Sequence, residues 1–175
     1  MSENFAEPQF REFVAASLPS FLRFGYILTG SPLDSEDLVE EALVRTGVAW
    51  GRIRRHDRRA AYVRKVMVRL YLNKRRALRR EVLQGSPIDR GSVPAEYSTV
   101  EERSVLAQAL TGLPPGQRVI VVLRYYLDMS NAEVAEYLGC SVGNVKSQAS
   151  RALDKLREQM PGEDINTPRR DNVRS

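Results

Sequence analysis

The chain has 175 residues, enough for one ordinary domain or two small ones. A single cysteine, Cys140, and a single histidine, His56, exclude an internal disulfide and a Cys/His metal cage built from one chain. The net charge of +5 points to an anionic partner, and it is unevenly spread: Met1 to Val44 holds eight acidic and two basic residues, Arg45 to Arg80 one acidic and fourteen basic.

Met1 to Pro8 reads as a frayed end. From Gln9 to Leu28, Phe10, Phe13, Val14, Leu18, Phe21, Leu22, Tyr26 and Ile27 recur at helical spacing, which predicts a long amphipathic helix with a bend at Pro19. Its apolar run from Phe21 to Leu28 is broken by Arg23, and no stretch reaches the roughly 18 to 20 apolar residues of a membrane span. With no signal peptide visible, a cytoplasmic, soluble protein without membrane contact is expected.

Thr29 to Leu33 is a turn, after which Asp34 or Ser35 caps a second helix that runs through Leu38, Val39, Ala42, Leu43 and Val48 to Trp50. Gly51 to Arg58 reads as a basic loop. A third helix follows from about Arg59 to Arg80, with Tyr62, Val63, Val66, Met67, Leu70 and Leu78 inward and a dense cationic face outward. Such a face repels itself unless a polyanion relieves it.

Residues 81–99 lack sustained periodicity and hold Gly85, Pro87, Gly91 and Pro94, so they read as an interdomain linker. Helical pattern resumes from Val100 to Leu110, and LPPG at Leu113 to Gly116 breaks it. Gln117 to Leu127 reads as a short helix, although periodicity alone does not separate it from a buried strand.

Ser130 followed by Glu133 is a capping-box pattern that opens a helix with Ala132, Val134, Ala135 and Leu138 on one face, stopped at Gly139. Ser141 then caps a last helix whose apolar stripe is Val142, Val145, Ala149, Ala152, Leu153 and Leu156. Asn144, Lys146, Ser147, Gln148, Ser150 and Arg151 point elsewhere. A face built for solubility alone favours Glu and Lys, whereas these groups suit base edges and phosphates. The pair is a helix-turn-helix with its second helix sized for a DNA major groove. Cys140 fills its turn, and Pro161 to Ser175 reads as a disordered tail.

With both halves in view, the chain resembles the bacterial extracytoplasmic-function (ECF) sigma factors of the sigma-70 family, in their SigE-like subgroup. LPPGQRVIVVLRYYLDMSNAEVAEYLGCSVGNVKSQASRALDKLR is similar to region 4, while DSEDLVEEALVRTGVAW and AAYVRKVMVRLYLNKRRALRR are similar to region 2. The resemblance implies an all-α fold of two small helical domains. These are a three-helix region 2 domain at 9–80 and a four-helix region 4 domain at 100–160, joined by a flexible linker at 81–99 and followed by a tail at 161–175.

It further implies a protein, monomeric when free, that binds core RNA polymerase through the β′ clamp helices and the β flap and directs initiation at promoter DNA, with an anti-sigma factor as a further partner. Asp37, Glu40 and Glu41 are the implied core contacts. Trp50, Arg52, Arg54, Arg55, Arg64, Lys65, Arg69, Lys74, Arg75 and Arg76 are implied for the −10 element, although core packing suits Trp50 at least as well. Asn144, Lys146, Ser147, Gln148, Ser150 and Arg151 are implied for the −35 element. Four positions depart from the family pattern. Gln148 stands where arginine is frequent, Asn144 where threonine is, Glu40 where glutamine is and Arg69 where asparagine is.

A helix-turn-helix regulator with a LuxR-type output domain, binding duplex DNA alone, would account for the C-terminal half but leave the basic helix and acidic face without a role. A purely structural helical adaptor fits the charge pattern poorly. The sequence holds no Gly-rich phosphate loop, no nucleophile paired with a base and no metal cluster, so no enzymatic activity, cofactor or metal is expected.

Overall fold

A computed structural model describes residues 7–53, 55–85 and 105–160; Arg54, most of the expected linker and the expected tail lie outside the described residues. Within them the fold is all-α, with no strand among the described residues. In chain order the helices are α1 (Glu7–Thr29), α2 (Pro32–Ala49), α3 (His56–Leu83), α4 (Val105–Thr111), α5 (Pro115–Val121), α6 (Asn131–Leu138) and α7 (Val142–Gln159). The chain divides into two compact units, Met1–Thr111 and Gly112–Ser175.

In the first unit α1, α2 and α3 enclose a core of Phe21, Phe24, Leu28, Val39, Val63 and Met67. Helix α1 passes through Pro19 as a single element. Its fully buried stripe is Phe21, Phe24 and Leu28, while Leu22, Tyr26 and Ile27 are only half-buried. The stripe is rotated from the expected one, and Gly25, also buried, lies on it where α1 crosses α2. A Cβ there would lie 2.6 Å from Ser35 Oγ, so only glycine lets the helices approach this closely.

The expected cap of α2 is corrected. Ser31 is the N-cap, its hydroxyl accepting from Asp34 N, and Pro32 occupies the first turn, where its missing N–H is no loss. Ser35 is instead buried, and its hydroxyl donates to Leu22 O of α1 at 2.7 Å. Val48, expected inward, is 80% exposed. The basic loop is shorter than expected, because a 3-10 turn at Trp50–Arg52 follows α2 directly and α3 begins at His56. Helix α3 also runs on to Leu83, so the first residues of the expected linker are helical. Helix α4 packs within this unit, with Thr111 Cγ2 beside Gly30.

The second unit packs α5 and α6 against α7 around Val119, Leu123, Val134, Val145, Ala152 and Leu156. The stretch open between helix and strand is helical, α5 continuing into a wide π turn at Val122–Tyr126. There Leu127 N donates to Val122 O and Met129 N to Leu123 O, while Arg124 Nη1 donates to Met129 O at 2.6 Å. Asp128, at φ 53°, turns the chain toward α6.

Candidate nucleic-acid interface

Helix α6 begins with the full capping box: Glu133 N donates to Ser130 Oγ, and Ser130 N donates to Glu133 Oε2 at 2.7 Å. It ends at Gly139, whose φ of 68° is the left-handed conformation glycine adopts without strain. Two residues on, Ser141 caps α7 by accepting from Asn144 N at 3.1 Å. Local hydrogen bonds thus set the short turn between the two helices.

On α7 the buried side is Val145, Ala149, Ala152 and Leu156. Two expectations about the apolar faces are corrected. Val142 is 40% exposed, because it begins α7 ahead of the first turn that packs, and Ala132 is exposed at the start of α6. The opposite side of α7 presents Asn144, Lys146, Ser147, Ser150 and Arg151 to solvent. No acid stands in the first turn, and among the described residues no salt bridge engages Lys146 or Arg151; the one acid nearby, Asp154, pairs with Arg157 at 2.9 Å. Gln148 differs from its neighbours. It is half-buried and accepts from Gln117 Nε2 of α5 at 3.0 Å.

The cationic residues of α3 divide by angle around the helix. Arg58, Lys65, Arg69, Arg76 and Arg80 recur at intervals of four and seven, so they form one stripe, on which Arg58, Arg69, Arg76 and Arg80 are exposed. Lys74 lies opposite that stripe, and its ammonium meets Asp34 Oδ1 of α2 at 3.1 Å. Arg64 is docked on α1, donating from Nη2 to Ser20 Oγ at 3.1 Å. Arg75 leans over Tyr71, 5.5 Å from the ring centroid. Arg52 and Arg55 are exposed at the turn before α3.

Of the two roles open for Trp50, base contact and core packing, its surroundings are those of a core residue. It is 3% exposed, with Phe10 and Phe13 of α1 at 4.9 and 5.0 Å between ring centroids and the Arg59 guanidinium 4.0 Å from its own. Arg59, itself buried, was missed as a packing residue, since its sequence context is only basic. Arg58 was missed as a member of the stripe, although its seven-residue spacing to Lys65 was available. No local signal could have found Gln117.

The acids of α2 also divide. Glu40, with Glu36, edges an apolar groove of about 650 Å³ between α1 and α2, lined by Phe10, Val14, Leu18 and Val44. Asp37 and Glu41 instead line a cleft of about 400 Å³ toward α3, with Arg45, Tyr71 and Lys74. Glu41 pairs with Arg45 at 2.6 Å. Among the described residues no helix is long and apolar enough to cross a membrane.

The "Sigma-70 region 2" family model matches residues 13–81, and the "Sigma-70, region 4" model matches residues 103–156. The chain is 36% identical over 157 residues to an RNA polymerase sigma-E factor of Streptomyces avermitilis, covering 90% of this chain and 88% of the relative. It is 32% identical over 145 residues to the ECF RNA polymerase sigma factor SigL of Mycobacterium tuberculosis, covering 77% and 79%. Among solved structures, the fold is similar to that of the sigma factor RpoE in complex with the anti-sigma factor NepR from Bartonella quintana. That match has a TM-score of 0.67 and 24% identity, covering 89% of this chain and 98% of the other. It is also similar to CnrH in complex with the cytosolic domain of CnrY, with a TM-score of 0.56 and 23% identity, covering 90% and 89%. The region 2 match spans α1 to α3, a part that a LuxR-type regulator leaves without a role. The chain belongs to the sigma-70 family as an ECF RNA polymerase sigma factor, and it directs transcription initiation.

Proposed function

We propose that this sigma factor reads its promoter with two separate surfaces, one for duplex and one for melted DNA. The observation that carries the proposal is the division of α7, where buried Val145, Ala149, Ala152 and Leu156 back an exposed row of Asn144, Lys146, Ser147, Ser150 and Arg151. An amphipathic helix with amide, hydroxyl and cationic groups outward suits the major groove of the −35 element. The α3 stripe of Arg58, Lys65, Arg69, Arg76 and Arg80, with Arg52 and Arg55 at its start, suits the phosphates of a single-stranded −10 element. Arg64 and Lys74 take part in holding α3 to α1 and α2, and Arg75 lies off the stripe, over Tyr71.

Core RNA polymerase binds at α2, with Glu40 on the apolar groove and Asp37 and Glu41 on the cleft as separate contacts. The proposed sigma regions are 9–80 and 100–160, with α3 extending into the first residues of 81–99 and α4 packing on the first unit; the tether between them raises the effective concentration of each reading surface at its element. The factor acts in the cytoplasm by binding alone, without chemistry of its own. Because RpoE was solved with NepR and CnrH with CnrY, we also propose an anti-sigma factor as a partner.

The test is promoter-directed transcription with purified core enzyme, beside a gel shift of the free protein on duplex promoter DNA. Initiation is expected only with core, and the free protein should bind the duplex weakly. Tight, specific binding by the free protein would overturn the division of labour.

A further inference from the structure

Gln148 occupies the border between the core side of α7 and its outward row. Asn144 and Arg151, one turn away on either side, are exposed, whereas Gln148 is half-buried and its Oε1 accepts from Gln117 Nε2 at 3.0 Å. Gln117 is 9% exposed on α5, and its own Oε1 is buried without a hydrogen-bond donor among the described residues. Physical chemistry favours this orientation of the pair. Flipping both amides would keep one hydrogen bond but move an NH₂ group, with two hydrogens to satisfy, to the place where one unpaired acceptor now sits.

A glutamine free to use both ends of its amide reads adenine bidentately, accepting from N6–H and donating to N7. Oε1 of Gln148 keeps a second lone pair, but the bond turns it toward the buried Gln117, so the end of the Gln148 amide left for a base is its NH₂. We propose that Gln117 is a specificity-determining residue of this sigma factor: through the Gln117–Gln148 hydrogen bond it holds Gln148 as a donor, which steers one position of the −35 element toward an acceptor edge, guanine O6/N7 or thymine O4, and away from bidentate adenine. Gln117 acts through Gln148 and touches no DNA itself. The inference rests on α7 being the −35 reading helix.

The test uses holoenzyme reconstituted from the full chain and core RNA polymerase. Promoters are selected from a randomised −35 element by the parent, and each base of the selected element is then replaced by the other three. Gln148→Ala should flatten the preference at one position by about tenfold, the discrimination supplied by one well-placed base contact. Gln117→Leu should leave every other position unchanged and raise adenine at that same position relative to guanine or thymine. Gln117→Met, which keeps the length of the side chain without a hydrogen-bonding group, should do the same if leucine packs poorly.

An unchanged profile for Gln148→Ala would overturn the proposal. So would an effect of Gln148→Ala with none from either Gln117 variant. Loss of folding in both Gln117 variants, seen by circular dichroism, would make Gln117 a packing residue and overturn it as well. If Lys146→Ala and Arg151→Ala also left all templates unaffected, the −35 assignment of α7 would fail with it. If those two weaken transcription while the Gln117 variants change nothing, only the coupling fails.

Discussion

Arg59 lies over the indole of Trp50, its guanidinium carbon 4.0 Å from the ring centroid, and the two residues are 7% and 3% exposed. The cation covers an aromatic face that would otherwise meet water where α2 passes into α3. Phe10 and Phe13 pack against the same indole from α1. The contact therefore joins the junction before the basic helix to the core of the first unit.

Trp50→Ala should accordingly cost about 3 to 5 kcal/mol of stability, as large-to-small changes at buried aromatics do. Trp50→Phe should lose much less and support normal open-complex formation with core enzyme. Urea unfolding gives the first quantity and permanganate footprinting of the −10 region the second. A stable Trp50→Phe protein that assembles with core but fails to melt the promoter would return Trp50 to the DNA-contact residues.

The contrast between Trp50 and α7 shows which parts of the molecule were legible in sequence. The stop of α6 at Gly139, the cap of α7 at Ser141 and the apolar stripe of α7 follow one another in a single continuous stretch, so local pattern defines both helix and reading face. Trp50 stands between a helix and a basic loop, where sequence leaves core packing and base contact both open; its burial depends on Phe10 and Phe13, some forty residues earlier in the chain. The bonds that join helices have the same character. Ser35 to Leu22, Lys74 to Asp34 and Gln117 to Gln148 span 13, 40 and 31 residues. No periodicity within one helix contains them. Cationic residues on α3 were legible as a group, but the contacts of Lys74 with Asp34 and of Arg64 with Ser20 were not, because those partners lie on other helices.

The two faces of α2 predict separable effects on core binding. Asp37→Lys with Glu41→Lys should weaken holoenzyme formation, as should Glu40→Lys, and the two effects should add because the sites line different concavities. Stability should change by no more than about 1 kcal/mol in either case, since exposed ion pairs such as Glu41–Arg45 contribute little. Competition against the labelled parent for core enzyme measures the first, and thermal unfolding the second. Normal assembly by both variants would remove α2 from the core interface.

On α7, base and phosphate contacts differ in signature. Removing a base contact should cost about 1 to 3 kcal/mol and relax one promoter position, whereas removing a phosphate contact should weaken all sequences alike and reduce the salt dependence. Arg151→Ala and Lys146→Ala are each expected to show one of these patterns when transcription is measured over a −35 substitution series at two salt concentrations. If both behave as the parent at every template while folding normally, this row does not face DNA.

The capping box of α6 predicts a dependence on pH. Glu133 is held below the ordinary 4.5 of its carboxyl, first by the hydrogen bond from the Ser130 backbone N–H and then by that with the Ser130 side chain, against a small opposing effect of desolvation. A carboxyl whose value is lower in the folded chain than in the unfolded one favours the folded state only while ionised. Its contribution is therefore complete above about the ordinary value and is lost as pH falls through the depressed folded value. Glu133→Gln keeps a hydrogen-bond acceptor but no charge, so it should be less stable than the parent near neutrality. The gap should close as pH falls through and below the ordinary carboxylate range. Ser130→Ala removes the other half of the box and should cost about 1 kcal/mol at neutral pH. Other carboxylates also titrate in this range, so the informative quantity is the difference between parent and variant in urea unfolding at each pH. A difference that stays constant from neutrality to acid would mean that the Glu133 charge contributes nothing, and that the box acts through its neutral hydrogen bonds alone.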